Sequence, residues 1–155
     1  MTVDLDLARV ALKKVTPQVS AAMGGLHAAA VAAAKEAGVE PALLELVRIR
    51  ASQINGCAFC IDMHTADAIK GGETPRRLFA VTAWREAPFF TERERAALLW
   101  TETLTQLSLT HAPDEDYEVV AAQFSPQEMV DLTVAISTIN SWNRLAVGFR
   151  KTPQA

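Results

Sequence analysis

The sequence predicts an all-α fold, and three observations lead to that expectation. Apolar residues recur at helical spacing, as at Leu43, Leu44, Val47, Ala51 and Ile54. No segment alternates apolar and polar residues as a half-buried strand does. Helix punctuation also recurs along the chain, with threonine or serine beside proline at starts and glycine at stops.

Each element follows from that punctuation. Thr16-Pro17 supplies an N-cap and a first-turn proline, and an alanine-rich run then continues to Ala37 and stops at Gly38. Pro41 opens a second helix, PALLELVRIRASQI, which Asn55-Gly56 breaks just before Cys57. The third carries CAFCIDMHTADAIK and ends at Gly71-Gly72. Thr74-Pro75 starts a fourth, PRRLFAVTAWREA, which ends before Pro88. Thr91 caps ERERAALLWTETLTQL, and Glu94 three residues on completes a capping box. A looser stretch around THAPDED leads to a short helix, EDYEVVAAQF. Ser125-Pro126, again with Glu128 three on, opens the long last helix through EMVDLTVAISTINSWNRLAVGF. These make about seven helices in one domain over residues 1–155, with no linker and no convincing repeat. The first and last long helices hold more Ala, Val and Ile than one solvated bundle face needs, which suggests burial against other subunits; a plain alanine-rich core is the alternative. Trp84, Trp100 and Trp142 read as core or interface anchors.

Composition narrows the function. The chain has 155 residues, half of them apolar, and a net charge of −3 with 15 scattered basic residues. That balance gives no electrostatic footprint for nucleic acid. No run approaches the roughly 20 apolar residues of a membrane span. The N-terminus, MTVDLDLARV, has acids where a signal peptide has basic residues, and it lacks an apolar stretch. The expected location is therefore the cytoplasm, where a permanent disulfide is unusual and a Cys-x-x-Cys pair is more often catalytic or metal-binding.

The chain has two cysteines, both in NGCAFCIDMH, residues 55–64. In a helix over 57–70, Cys57 and Cys60 share a face and His64 follows Cys60 by one turn. The start of a helix favours negative charge, so a thiolate there can ionise below its free value of about 8.5. An imidazole one turn away can take the thiol proton. A peroxide would oxidise such a thiolate to sulfenic acid, and the second thiol would condense with it. Structural zinc and inert core cysteines are the other readings. Zinc wants four closed ligands, and only His27, His64 and His111 are left to supply them, none paired at ligand spacing. A thioredoxin-like site lacks its βαβ surroundings.

The stretch ELVRIRASQINGCAFCIDMHTADAIKGGE, residues 45–73, resembles the core of the alkylhydroperoxidase AhpD-like family of the carboxymuconolactone decarboxylase superfamily. The likeness includes Glu45, twelve residues before Cys57, then Cys57, Cys60 and His64, and with AVTAWREAPFFTERERAALLWTETLT and INSWNRLAVGFR it spans roughly residues 40–150. It implies a helical fold assembled as a trimer or hexamer and a thiol-dependent peroxidase that needs no metal, haem or flavin. It further implies that Cys60 is the peroxidatic nucleophile and Cys57 its proton donor and resolving partner. His64 and Glu45 would form the proton relay, and a dithiol donor, in the best-known members a lipoylated protein, would reduce the disulfide. From the residues alone Glu45 reads as a solvated helix acid paired with Arg48 or Arg50. In the relay its apolar flanks, Leu44 and Leu46, are expected to raise its pKa.

The sequence departs from the family pattern at one position. The best-known peroxidases carry a second histidine immediately before the nucleophilic cysteine, where this chain has Phe59. Two other functions fit less closely. A lactone decarboxylase of this superfamily usually does without the cysteine pair, and a redox-sensing protein would toggle the disulfide without turnover.

Overall fold

The computed structural model describes residues 9–154, so all but the last two residues of the N-terminal run used to argue location lie outside the described residues. Among the described residues the chain forms nine α-helices, one 3-10 turn and no strand. In order these are α1 (Leu12–Val15), α2 (Pro17–Ala37), α3 (Pro41–Asn55), α4 (Ala58–Lys70), α5 (Pro75–Ala80), a 3-10 turn (Val81–Ala83), α6 (Glu92–Thr105), α7 (Leu107–Thr110), α8 (Asp114–Ala121) and α9 (Pro126–Gly148). None of the helices is long and apolar enough to cross a membrane.

The boundaries follow local chemistry. Gly38 and Gly56 close α2 and α3 in the left-handed conformation, with φ of 103° and 67°, which a side chain would strain. Both expected capping boxes form: Thr91 with Glu94 at α6, and Ser125 with Glu128 at α9. Their glutamates serve twice, because Glu94 also meets Arg77 at 2.5 Å and Glu128 meets Arg93 at 2.5 Å. Thr16 precedes α2 as expected, but its side chain makes no capping bond.

Two elements differ from the sequence expectation. The fourth helix stops at Ala80 instead of reaching Ala87, and the fifth ends at Thr105, leaving α7 separate. The first break has a tertiary cause. The Trp84 indole N–H is drawn to Glu102 (2.8 Å). The Arg95 guanidinium donates to the carbonyls of Arg85, Ala87 and Phe90, holding the chain beyond Trp84 in a non-helical course. With the four-residue α1 and α7, these boundaries account for nine helices where seven were expected.

Helix α3 is the spine. It packs against α4, α6 and α9 and is buried on two faces. Leu43, Leu44 and Val47 face a core shared with Trp100 of α6 and Leu132 and Ile136 of α9. Leu46 and Ile49 face a second core with Leu78, Val81, Trp84 and Leu98. The last turn of α3 is fastened to α9 through buried amides. Asn55 Nδ2 donates to Oδ1 of both Asn140 and Asn143 (2.9 Å each), and Asn143 Nδ2 donates to Ser52 Oγ (3.0 Å). Asn143 is fully buried, so Asn143→Ala leaves the buried Ser52 hydroxyl without its donor and Asn55 with Asn140 alone. The expected loss is about 3 kcal/mol, or about 6–12 °C in Tm, read by thermal and urea unfolding.

Candidate active site

Gly56 turns the chain out of α3 and Cys57 caps the start of α4. The Cys60 backbone N–H donates to Cys57 Sγ at 3.3 Å, so both sulfurs sit in the first turn, where unpaired N–H groups favour an anion. Cys57 and Cys60 form a disulfide, with Cα atoms 5.3 Å apart. Each is only 2 % exposed, packed with Ala146 of α9 and with Phe59 beside them.

One turn further along α4, His64 is buried and meets Glu45 from α3 at 2.8 Å. Antiparallel packing of α3 on α4 brings in this residue, which lies 19 positions back in the chain. The other Glu45 oxygen pairs with the Arg48 guanidinium, one turn along the same helix. Arg50, its other sequence-level candidate partner, goes to Glu102 instead (2.7 Å). Four expected site residues are thus placed in two linked pairs: a sulfur pair at the helix start, and an imidazole–carboxylate pair below it.

The expected upward shift of Glu45 is corrected by the structure. Burial does push it up, but the hydrogen bond with His64 and the Arg48 charge outweigh burial and hold the carboxyl below its ordinary value. An ionised Glu45 only accepts hydrogen bonds, so His64 Nδ1 must carry the proton. That fixes the neutral ring with Nε2 bare and able to accept a proton. Nε2 makes no hydrogen bond to the described residues.

Glu102 and Glu128 are also held low. At Glu102 burial is outweighed by hydrogen bonds from Trp84, Arg85 and Arg50; at Glu128 the Arg93 hydrogen bond leads. A lowered folded pKa contributes stability that is complete above the unfolded value and lost as pH falls through the folded one. The carboxylate share of the unfolding free energy should therefore be flat above pH of about 5.5 and decline below about 4.5, more gently in Glu45→Gln. His27, lowered in the fold, adds a decline that begins as pH falls through its ordinary value. Urea titrations across that range would read it.

Sequence reasoning missed two neighbours. Arg48 was only an ion-pair option, yet it is buried against Glu45. His27, from α2, feels the charges of Arg48, His64 and Glu45, and burial first, then Arg48 and His64, lower its pKa against the pull of Glu45. Its one sequence signal is a histidine in a helix of small residues. Near the end of α9, Arg144 donates to the Asn140 carbonyl (3.0 Å) and lines a cavity of about 330 Å³ with Asn55, Asn143, Val147 and Gly148. Among the described residues no three His, Cys, Asp or Glu side chains converge as metal ligands.

The model of the Carboxymuconolactone decarboxylase family matches residues 17–103. The chain belongs to the carboxymuconolactone decarboxylase family. The matched segment starts nearer the N-terminus than the stretch read above, taking in α2 and His27 with the whole Glu45-to-His64 constellation. Among family relatives, the uncharacterized protein YdfG of Bacillus subtilis strain 168 is 44% identical over 113 residues, 73% of this chain and 77% of that one. A crystal structure of an Agrobacterium tumefaciens protein of unknown function, named as an AhpD candidate for antioxidant defence, aligns with a TM-score of 0.87 at 40% identity. That alignment covers 96% of this chain and 99% of that one. The debrominase Bmp8 shares the fold at 20% identity and a TM-score of 0.76, over 90% of this chain and 73% of its own. One helical frame therefore underlies proteins described by different chemistries, and the choice among them rests on the side chains.

Proposed function

We propose that the protein is a thiol-dependent peroxidase of the AhpD-like type that reduces hydroperoxides. The observation behind this reading is a disulfide between the chain's two cysteines at the start of α4, one turn from a buried histidine–carboxylate pair. Nε2 of His64 is the proton acceptor and Glu45 holds the ring in the needed tautomer. The Cys60 thiolate attacks the terminal oxygen of the peroxide. The O–O bond breaks, the alkoxide leaves with a proton as the alcohol, and Cys60 becomes a sulfenic acid. The Cys57 sulfur then displaces hydroxide from Cys60, giving the disulfide and water once a proton is added. A dithiol donor returns two electrons and two protons, and a lipoylated protein fits that role.

Assembly into a trimer or hexamer belongs to the same proposal and is supported by exposed Val15, Val19 and Leu26 on α1 and α2 and Leu107 and Leu109 on α7. The reducing cytoplasm is the location that fits the cycle.

The test is hydroperoxide consumption under dihydrolipoamide. We expect many turnovers, with one dithiol oxidised per peroxide reduced. Absence of turnover, or turnover that survives alkylation of both cysteines, would refute the reading. Carboxymuconolactone decarboxylation that survives the same alkylation would put the decarboxylase in its place.

A further inference from the structure

Phe59 occupies the position where the family resemblance implies a histidine, and its ring packs with Cys57, Cys60 and Ala146. The Lys151 ammonium lies over that ring, 3.8 Å from its centroid. Lys151 comes from the far end of the chain, and the backbone that delivers it is fastened at several points. The Lys151 N–H donates to Ala146 O (2.8 Å), the Arg150 N–H to Val147 O (3.2 Å), and the Arg9 N–H to Phe149 O (2.9 Å). Arg150 turns the chain back with φ of 55°. Among the described residues Lys151 has no carboxylate within ion-pair distance, whereas Arg48, Arg50, Arg77, Arg85 and Arg93 each have one.

The other charged or titratable groups around the motif come from every neighbouring element. They are His64 on α4, Glu45 and Arg48 on α3, His27 on α2, Arg144 on α9 and Lys13 on α1. Asp62 is exposed and two residues past Cys60, so it projects from the far side of α4. Glu45 is already committed to Arg48 and His64. A cation resting on an aromatic ring is attracted by the ring's electron-rich face, which keeps it in place without a carboxylate that would cancel its field.

We infer that Lys151 is a positioning residue: docked on Phe59, it sets a positive charge beside the cysteine pair and favours the Cys60 thiolate in the reduced protein. In place of the family's histidine, which would donate or accept a proton, this chain has an ammonium one ring removed, acting through its field alone. Partial burial, with help from Lys13, lowers the Lys151 pKa, as expected of an ammonium partly withdrawn from water. The purpose of the device rests on the peroxidase reading; its electrostatics do not.

The experiment is a pH titration of thiolate absorbance on the fully reduced chain, comparing wild type with Lys151→Met and Lys151→Arg. A unit charge at a separation on the order of 8 Å in a nearly aqueous medium moves a titration by about half a unit. Lys151→Met should raise the lower thiol pKa by that amount and slow Cys60 alkylation near neutrality about threefold. Lys151→Arg, which keeps the charge and stacks on a ring, should stay close to wild type. Added salt at about 1 M should close the gap. A Lys151→Met titration matching wild type, or a Lys151→Arg shift as large as that of Lys151→Met, would overturn the inference. The titration uses no peroxide, so a wild type that turns nothing over would sink the peroxidase reading and leave this result standing.

Discussion

Cys60→Ser will lower peroxide turnover by at least about 1,000-fold, because an alcohol at that position stays protonated where a thiol ionises. The fold should tolerate the change, since serine is nearly the size of cysteine and the start of α4 accommodates small polar groups. Cys57→Ser should behave differently. It leaves the nucleophile but removes the sulfur that captures the sulfenic acid. The expected result is rapid consumption of one equivalent of peroxide, then stalling, then slow consumption of a second equivalent that leaves Cys60 two oxygen atoms heavier by mass spectrometry. Together the variants separate attack from resolution. If Cys57→Ser is inert and Cys60→Ser gives the single-equivalent burst, the two sulfurs have the opposite roles. Unimpaired turnover in Cys60→Ser would remove the thiol mechanism altogether.

The second large effect is expected at Glu45. Glu45→Gln preserves size but replaces a pure acceptor with an amide that can donate as well as accept. His64 then loses the contact that forces its proton onto Nδ1, and molecules with a protonated Nε2 cannot receive the thiol proton. We expect kcat/KM to fall by about 100-fold, within the range ascribed to a positioned base. Arg48, buried beside it, is left without its anion, which should cost about 2 kcal/mol of stability. Measuring both quantities at one temperature separates chemistry from unfolding. Turnover within about twofold of wild type would show that the carboxylate does not govern the proton transfer.

Much of the frame was readable because its signals are local. Pro17, Pro41, Pro75 and Pro126 mark the starts of four helices, and the Thr91 and Ser125 boxes form as their spacing demands. The end of α5 was not readable. No glycine or proline interrupts the chain between Pro75 and Pro88, and what halts the helix is Glu102 and Arg95 arriving from α6. The site divides in the same way. Cys57, Cys60 and His64 could be grouped from one helix's spacing, whereas Glu45 needed the family pattern to be singled out. Its ionisation could not be foreseen from Leu44 and Leu46, because the decisive neighbours are His64 across the helix pair and Arg48 turned inward. His27 and Lys151 reach the site from opposite ends of the chain, and no pattern within a window of sequence points to either.

The amide clasp between Asn55 and Asn140 with Asn143 has a consequence for anyone wishing to borrow this chemistry. A synthetic peptide copied from Glu45 to His64 would hold all four reactive groups and still be a poor catalyst. Its two arms would keep only their own contacts, the Glu45–His64 bond among them. They would lose α9, to which α3 is clasped and whose Ala146 packs on the cysteines. Transplantation into a foreign scaffold would have to bring the asparagine pair along, because the smallest portable unit is three helices and not a motif.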